Sequence, residues 1–578
     1  MSQLSRRGAG LTGLGAFISF LMVLGLIALG AYVLMQPASP TAAGGATSSP
    51  TRNMTNGASS ASVKDPHGTG EALSGVPIAQ LIEPATTTPR LDAAAPYTPK
   101  NNIIEIDISE YAGYAGLIAA NGGLEPNPES IFTKQFGVLV KLSLSEGENW
   151  SQLNNGKFAA SATTVDVLAV MGRQFQVTVP VQIGFSRGAN GVVVAERIKK
   201  VNDLAGQILV ASQFNEAEFF IRYLAQEAGL EVVVLSDVST TPPPNCIGLV
   251  FCEDAFIAGD VFLKELSSPK PRLAGCVSWA PKTFEVIEAS KGKARMLVSN
   301  KNLLVVADIL VVNKGFAEAN PKAVQGLVAG LIAGNQALRD DPKPHLAAIA
   351  KAFKWTPEET KEELARVHFS NLPENLAFFN GTIDAAGSFG GIYQSSVLAY
   401  GKLISNPVDA ERFIDVTALK AAEASGTFAG QKIAIAPIKT GSASAIEGAP
   451  LLSKDIRFLF LPNSSALNMD APENLKYLDT IKGYLQISPG SMVLLRGHAD
   501  HSMVSQFRDQ GGETMVRNMA LKAVELSKAR ATEIRKALIE RAKIDPKRIE
   551  SIGRGWEEPT GTDAEKNRRV EVQWFTLE

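Results

Sequence analysis

Late in the chain a single cation falls on a helix face whose other members are apolar. A helical reading of "ELSKARATEIRKALIER" gathers Leu526, Ala529, Ile534, Ala537 and Leu538 on one stripe, and steps of four add Arg530 to it. A guanidinium turned inward without a partner costs several kcal/mol, so an internal carboxylate or a bound anion has to meet it. Two polar stretches flank this helix in the sequence. Upstream, "LLRGHADHS" (Leu494–Ser502) runs a strand into a turn that carries Asp500. Downstream, "KNRRVEV" sets Asn567 and Arg568 at a strand edge, where they either support a site or simply sit in solvent. His498 and His501 have a metal-like spacing, but two histidines without further ligands do not complete a site, and neither a metal nor another cofactor is expected.

The elements that must hold these residues form a unit over residues 451–578, after a connector at 416–450. "IRFLFLPNSSALN" reads as a strand, "NLKYLDTIKGYLQI" as a helix and "SMVLLRGHAD" as strand and turn; a long helix, "RIESIGRG" and "RRVEVQWF" complete a small α+β sandwich. Through "FLPNSSAL", "GHAD", "LSKARA", "RIESIGRGWEEP" and "NRRVEV", in that order, it resembles the OmpA-like peptidoglycan-binding domain. The resemblance implies that Asp500 accepts the ammonium, and Arg530 the carboxylate, of the diamino acid in the peptidoglycan stem peptide, with Asn567 and Arg568 in support. A planar guanidinium suits that carboxylate through two parallel hydrogen bonds. The competing arrangement is an Asp500–Arg530 ion pair. Ala523 and Ala499 stand where the family usually has Asn and Thr, and "HSMVSQFRDQGGETMVRNMALK" holds an insertion expected to border the groove.

From Asn102 the chain alternates short apolar strands with helical stretches, which predicts α/β units around mainly parallel sheets. "IIEIDISEYAGYAGLIAANGG" places a strand at Ile103–Ile108 and then a helix; "GKFAASATTVDVLAVMG" puts Thr163 and Thr164 at a helix start; "GQILVASQFNEAEFFIRYLAQEAGL" makes Asn215 an N-cap. In such sheets the loops after strand C-termini line the crevice, and helix N-terminal amides receive anionic or polar groups. Residues 100–415 resemble the periplasmic substrate-binding proteins of nitrate, sulfonate and taurine ABC importers, through "SEYAGYAG", "GKFAASATTVD", "GVVVAERIKKVNDLAGQILV", "FNEAEFFIRYLAQEAGL", "VSWAP" and "DILVVNKGFAEANPKAV". The resemblance implies two lobes closing on a small solute, possible anions included, and an ABC permease as partner. Ligand contacts then fall on Tyr111, Thr163, Thr164, Asn190, Asn215 and Trp279. Core packing for the aromatics and helix capping for Thr163 and Asn215 are the competing roles. Arg187 in "FSRGANG" is either an oxyanion attractor or a surface charge, and "TTPPPNCIGLVFCEDAFIAGDV" departs from the family pattern.

Ahead of these domains, residues 1–15 carry Arg6 and Arg7, and Ala16–Met35 is a run of twenty uncharged residues. At about 1.5 Å per residue it just crosses a hydrocarbon core of ~30 Å. The arginines keep the N-terminus cytoplasmic, which predicts a single-pass inner-membrane protein with its bulk in the periplasm. A cleaved signal peptide is the rival assignment. Residues 36–98, rich in Pro, Ala, Gly, Ser and Thr, read as a flexible tether, with an r.m.s. span of roughly 40–45 Å. Lys plus Arg (56) nearly cancels Asp plus Glu (58), which argues against nucleic acid as partner. Of the three cysteines, Cys246 and Cys252 are the close pair, either bridged or buried as free thiols.

These features predict a non-enzymatic envelope protein, anchored in the membrane, that binds a small solute and peptidoglycan. An enzyme on the same receptor fold, as in a pyrimidine-synthesis branch, would need a reactive cluster; His345 and His368 lie instead in the domain's late helical part. A MotB-like motor component would need an intramembrane carboxylate, and Ala16–Met35 contains none.

Overall fold

The computed structural model describes residues 78–145, 149–381, 387–404, 407–436, 449–461 and 464–577. The apolar stretch Ala16–Met35 lies outside them; among the described residues no helix is long and apolar enough to cross a membrane.

Two α/β lobes come first. β1 (Ile103–Ile108), β2 (Leu139–Leu144), β3 (Ala160–Thr164) and β4 (Val177–Ser186) open the first lobe. β5 (Asn190–Ala195), β6 (Ile208–Ser212), β7 (Glu231–Val234), β8 (Cys246–Cys252), β9 (Gly275–Trp279) and β10 (Ala294–Ser299) build the second. β11 (Ala307–Asn313) and β12 (Val367–Phe369) return to the first. The sheet orders are β12-β4-β11-β3-β1-β2 and β10-β5-β9-β6-β8-β7. Both sheets are covered on two faces, which is why β8 reads as a continuous apolar run and both β8 and β11 are buried throughout.

The chain passes between the sheets twice, from β4 to β5 and from β10 to β11, and polar side chains weld the two passages. Asn300 Oδ1 accepts from the amides of Gly188 (2.7 Å) and Asn190 (3.1 Å), while its Nδ2 donates to Ser186 O. Arg187 is neither an oxyanion receptor nor a surface charge. It is buried, donating from Nε to Lys301 O, from Nη1 to Ala436 O and from Nη2 to Asn302 Oδ1. With all three groups spent on neutral oxygens, burial pulls its pKa down to about 10.

Several boundaries differ from expectation. Residues 78–98, read as tether, lie along the two lobes. Gln213 and Gln174 each accept from one backbone N–H of this strap and donate to one of its carbonyls, and Asn313 does the same around Tyr97. These amide side chains supply partners that a Pro-rich strand cannot find in a sheet. Part of the 416–450 connector likewise belongs with the lobes: helix Thr417–Ala424 buries Leu419, and Lys432 O and Ala434 N bond to Asn371 and Glu374. His368 sits on the edge strand β12 rather than in a helix, its Nε2 3.0 Å from Glu374. Cys246 and Cys252 end the same strand and, like Cys276, are free and buried; six strand steps of ~3.3 Å separate the pair far beyond disulfide reach.

The C-terminal unit has a sheet ordered β13-β16-β14-β15, from β13 (Leu452–Ile456), β14 (Met492–His498), β15 (Ile549–Gly555) and β16 (Val570–Phe575). Only β14 and β15 run parallel among its pairings. The first strand ends at Ile456, so "RFLFL" flanks the sheet instead of joining it, leaving Leu459 and Leu461 exposed. Trp574 stacks on Tyr484 of helix Pro472–Ile487 at 4.7 Å. The long helix Val504–Ala542 kinks at Gly511–Gly512, and its buried face is Ala523, Ser527, Ala531, Ile534 and Leu538. Leu526, expected on that face, points outward at 41% exposure, because the sheet admits only small side chains there. A Cβ on Gly497 would lie 2.1 Å from Ser527 O, and one on Gly553 2.3 Å from Val524 O.

The unit is also joined to the two lobes. Asn202 and Ser453 exchange two hydrogen bonds, Tyr484 Oη donates to Glu227 O, Leu304 N to Ile487 O, and Asn302 Nδ2 to Leu577 O at 2.6 Å.

Gly497→Ala is expected to cost about 1–3 kcal/mol by forcing helix and sheet apart. Gly483→Ala, with nothing within 4 Å of the added carbon, should instead gain about 0.5–1 kcal/mol. Hydrogen exchange of β14 and β16 amides under native conditions reads both, and equal effects would contradict the packing described.

Candidate functional site

Arg530 emerges at the edge of the close helix–sheet contact, between Ser527 and Ile534. It is half-buried, with Cζ 5.0 Å from the Phe460 ring centroid and Nε out of water without a hydrogen-bond partner. No acid pairs with it among the described residues. Burial, and secondarily the charge of Arg568, lower its pKa, so the site holds a guanidinium under electrostatic stress. The groove before it, about 260 Å³, is lined by Phe458, Phe460, Gly497, Ser527 and Arg568 among others. Nothing from the inserted stretch after Ser502 up to Ala523 lines it, so the insertion leaves it open.

Asp500 does not bridge to Arg530. Its Oδ1 accepts from Ser502 N at 2.9 Å and its Oδ2 from the Ser502 hydroxyl at 2.6 Å. Burial alone would raise this carboxyl, but the Ser502 bonds, with the charges of Arg568 and His501, hold it below the usual range. Arg568 thus acts on both residues while ion-paired to Glu565. Asn567 is fully buried: Oδ1 accepts from Thr560 N, and Nδ2 donates to Gly561 O and lies 3.3 Å from His501 Nδ1. It fixes the turn beside Asp500.

The two histidines face different groups. His498 converges with Glu558 and Glu571, their ligand atoms within 4.8 Å of one another. Arg496 already bridges both acids, at 2.7 Å to Glu558 and 2.6 Å to Glu571. Burial opposes ionisation of Glu571, but His498, Gln573 and Arg496 pull it down to about 2. A guanidinium therefore occupies the place a cation would take.

In the two lobes, the six residues expected from the sequence to contact a solute divide. Asn215 is committed to its helix: Oδ1 caps Ala217 N and the side chain bonds Ser212. Thr163 lies inside β3, paired with Ile309. Tyr111, Thr164, Asn190 and Trp279 share one neighbourhood with residues that were not anticipated. Tyr111 Oη donates to Asp308 Oδ2 at 3.4 Å, and Asp308 is the register partner of Thr164. Asn190 Nδ2 donates to Ser186 Oγ, while its Oδ1 is buried and unpartnered. Trp279 Nε1 faces Glu216 without completing a hydrogen bond.

Burial raises Asp166, Glu216 and Asp308; Asp166 also raises Glu216, and both of these raise Asp308. Burial, opposed in part by Thr164 and increased by Glu218, pushes Asp166 up to about 6. Burial and then Asp166 push Glu216 up to about 7. Asp308, buried and facing Glu216 and Asp166, rises well above the carboxylate range. The nearby cation, Arg222, pairs with Glu218 at 2.7 Å and lies over the Tyr400 ring. Asp166 and Glu216 were masked in the sequence by their positions in first helical turns, where acids are ordinary. Asp308, a charge inside "VVADILVV", was the readable signal. Thiol chemistry has no place here: the cysteines lie in the second lobe's strands, where burial drives Cys252 up to about 12.

Residues 459–573 match the OmpA family. Comparison with curated proteins returns no match. Similar solved structures include the periplasmic aliphatic sulphonate binding protein SsuA from Escherichia coli, with 15% identity, covering 55% of this chain and 92% of that one at a TM-score of 0.40. The periplasmic nitrate-binding protein NrtA from Synechocystis is 10% identical, with coverages of 56% and 89% and a TM-score of 0.39. A Candida albicans protein with the generic periplasmic binding protein fold is also 10% identical, covering 55% and 96%, with a TM-score of 0.38.

Asp166 and Glu216 bind protons more tightly folded than unfolded, since their values rise from 3.8 to about 6 and from 4.5 to about 7. The stability they contribute is present in full below about pH 4 and lost as pH rises through 6–7. Glu216→Gln, which mimics the protonated acid, should therefore melt with the wild type at pH 4 and above it at pH 8. Coincident melting curves at pH 8 would refute the raised value.

Proposed function

We propose that this chain is a membrane-anchored envelope protein that holds a small solute between its receptor lobes and binds peptidoglycan through residues 451–578. In this reading Ala16–Met35 is the inner-membrane span, the receptor and C-terminal unit occupy the periplasm, and an ABC permease receives the solute. The observation that carries the wall-binding half is the unpaired guanidinium of Arg530 in an open groove, within a stretch that matches the OmpA family.

The chemistry follows from the charges. A stem-peptide diamino acid presents a carboxylate and an ammonium at one end. The carboxylate meets Arg530, whose Nε lacks a partner, and the Arg568 guanidinium lowers the potential cost of bringing a second negative oxygen into the groove. Asp500, held ionised by Ser502, takes the ammonium. Because the two side chains do not neutralise each other, the ligand gains both interactions without breaking an internal ion pair. Asn567, locked between Thr560, Gly561 and His501, positions the turn and makes no call on the ligand itself.

Sedimentation with purified murein sacculi tests this. Arg530→Ala and Asp500→Ala each remove a charge-assisted contact of about 1.5–3 kcal/mol, so retention should fall tenfold or more, with Arg530→Lys in between. Equal retention of wild type and all three variants would defeat the wall-binding assignment.

A further inference from the structure

We infer that the receptor's solute is an organic cation carrying N–H donors, an amine rather than an oxyanion, taken between the lobes by Asp166, Glu216 and Asp308. The inference rests on the proposed receptor function and narrows it to a class of ligand.

Charge balance is the first argument. Four carboxyl groups meet at the interlobe face, Asp166, Glu216, Glu218 and Asp308, against the one guanidinium of Arg222. Arg222 is spent on Glu218 at 2.7 Å and on Ala399 O, leaving one Nη2 without a partner. Three acids remain uncompensated. The other arginine near the crossovers, Arg187, is turned away onto Lys301, Asn302 and Ala436. An oxyanion entering here would meet no free guanidinium and would oppose the ionisation of Asp166 and Glu216, whereas a cation would favour it.

Unsatisfied acceptors are the second, independent argument. Asp166 Oδ2 and Asn190 Oδ1 belong to residues 1% and 3% exposed, and neither atom has a hydrogen-bond partner. Buried acceptors without donors ask for a ligand that supplies them. Asn190 is tied to this place through its Nδ2 bond to Ser186 Oγ, in the passage between the lobes. Tyr111, beside Asp308, and Trp279, beside Glu216, add aromatic faces on which a cation or its carbon skeleton can lie.

Spacing argues for an organic ion over a bare metal. A metal shell draws its ligand atoms to ~2.0–2.6 Å from one centre. Among the described residues, acids and histidines converge that closely only at His498, Glu558 and Glu571, in the C-terminal unit. The cleft acids are set wider, as suits charges spread along a molecule.

The test is calorimetric titration of the full chain, purified in detergent, with methylammonium, putrescine, agmatine, spermidine and 2-phenylethylamine, and with taurine and nitrate as the opposing set. At pH 8 at least one amine should bind, with affinity falling tenfold or more at pH 5, where protons displace the cation. Glu216→Gln and Asp166→Asn should each weaken it at least tenfold while raising the melting temperature of the ligand-free protein, which separates lost recognition from misfolding. Binding of taurine or nitrate but no amine would overturn the cation and leave the receptor standing. Silence from every probe would overturn both, and an amine bound equally by wild type and both variants would overturn the role of these acids.

Discussion

A charge taken out of water has to be met by an opposite charge or by strong hydrogen bonds, or the group changes its protonation state. Most of this fold obeys that constraint internally. Arg187 is wrapped in carbonyl and amide oxygens, Arg222 pairs with Glu218, Arg496 bridges Glu558 and Glu571, and Glu374 gathers His368 and Arg339. The internal pairs stand at crossovers, helix faces and sheet edges, where they hold elements in register. The unpaired charges stand elsewhere: Arg530 in the C-terminal groove, and the three acids of the interlobe face. One is a cation and the others are acids, so the two places favour partners of opposite character.

The groove depends on backbone proximity as much as on charge. Gly497 and Gly553 let the long helix approach within the space of a missing side chain, and Ala523, Ser527 and Ala531 fill what is left. Ser527 Oγ accepts from Gly555 N, closing the contact on its polar side. Arg530 leaves this seam one turn later, half-buried and ion-paired to no acid among the described residues.

Much of this was legible from residue patterns. β1 falls where alternation placed it, at Ile103–Ile108, whereas Arg530, expected on the inward stripe, stands half-buried at the edge of the buried face formed by Ser527, Ala531 and Ile534. The neighbouring assignment of Leu526 failed because period identifies a face but cannot tell that its centre touches glycines, where leucine does not fit. The strap at 78–98 was illegible for a related reason: its hydrogen bonds go to Gln174, Gln213 and Asn313, side chains distant in sequence, and nothing in its own composition announces them. Asp166 and Glu216 looked like routine helix-start acids. Only their convergence with Asp308 across elements gives them weight, and convergence is a property of the tertiary fold.

Asn302 receives Arg187 from one interlobe passage, belongs to the other, and donates to Leu577 at the chain's far end. Two residues on, Leu304 bonds Ile487 in the C-terminal unit. The pivot about which the lobes would swing is thus bolted to the final β-sheet. Any rotation that parts the lobes must either shear these bonds or carry that sheet along, which makes the last domain a lever on the gap between the two sheets rather than a passenger behind it.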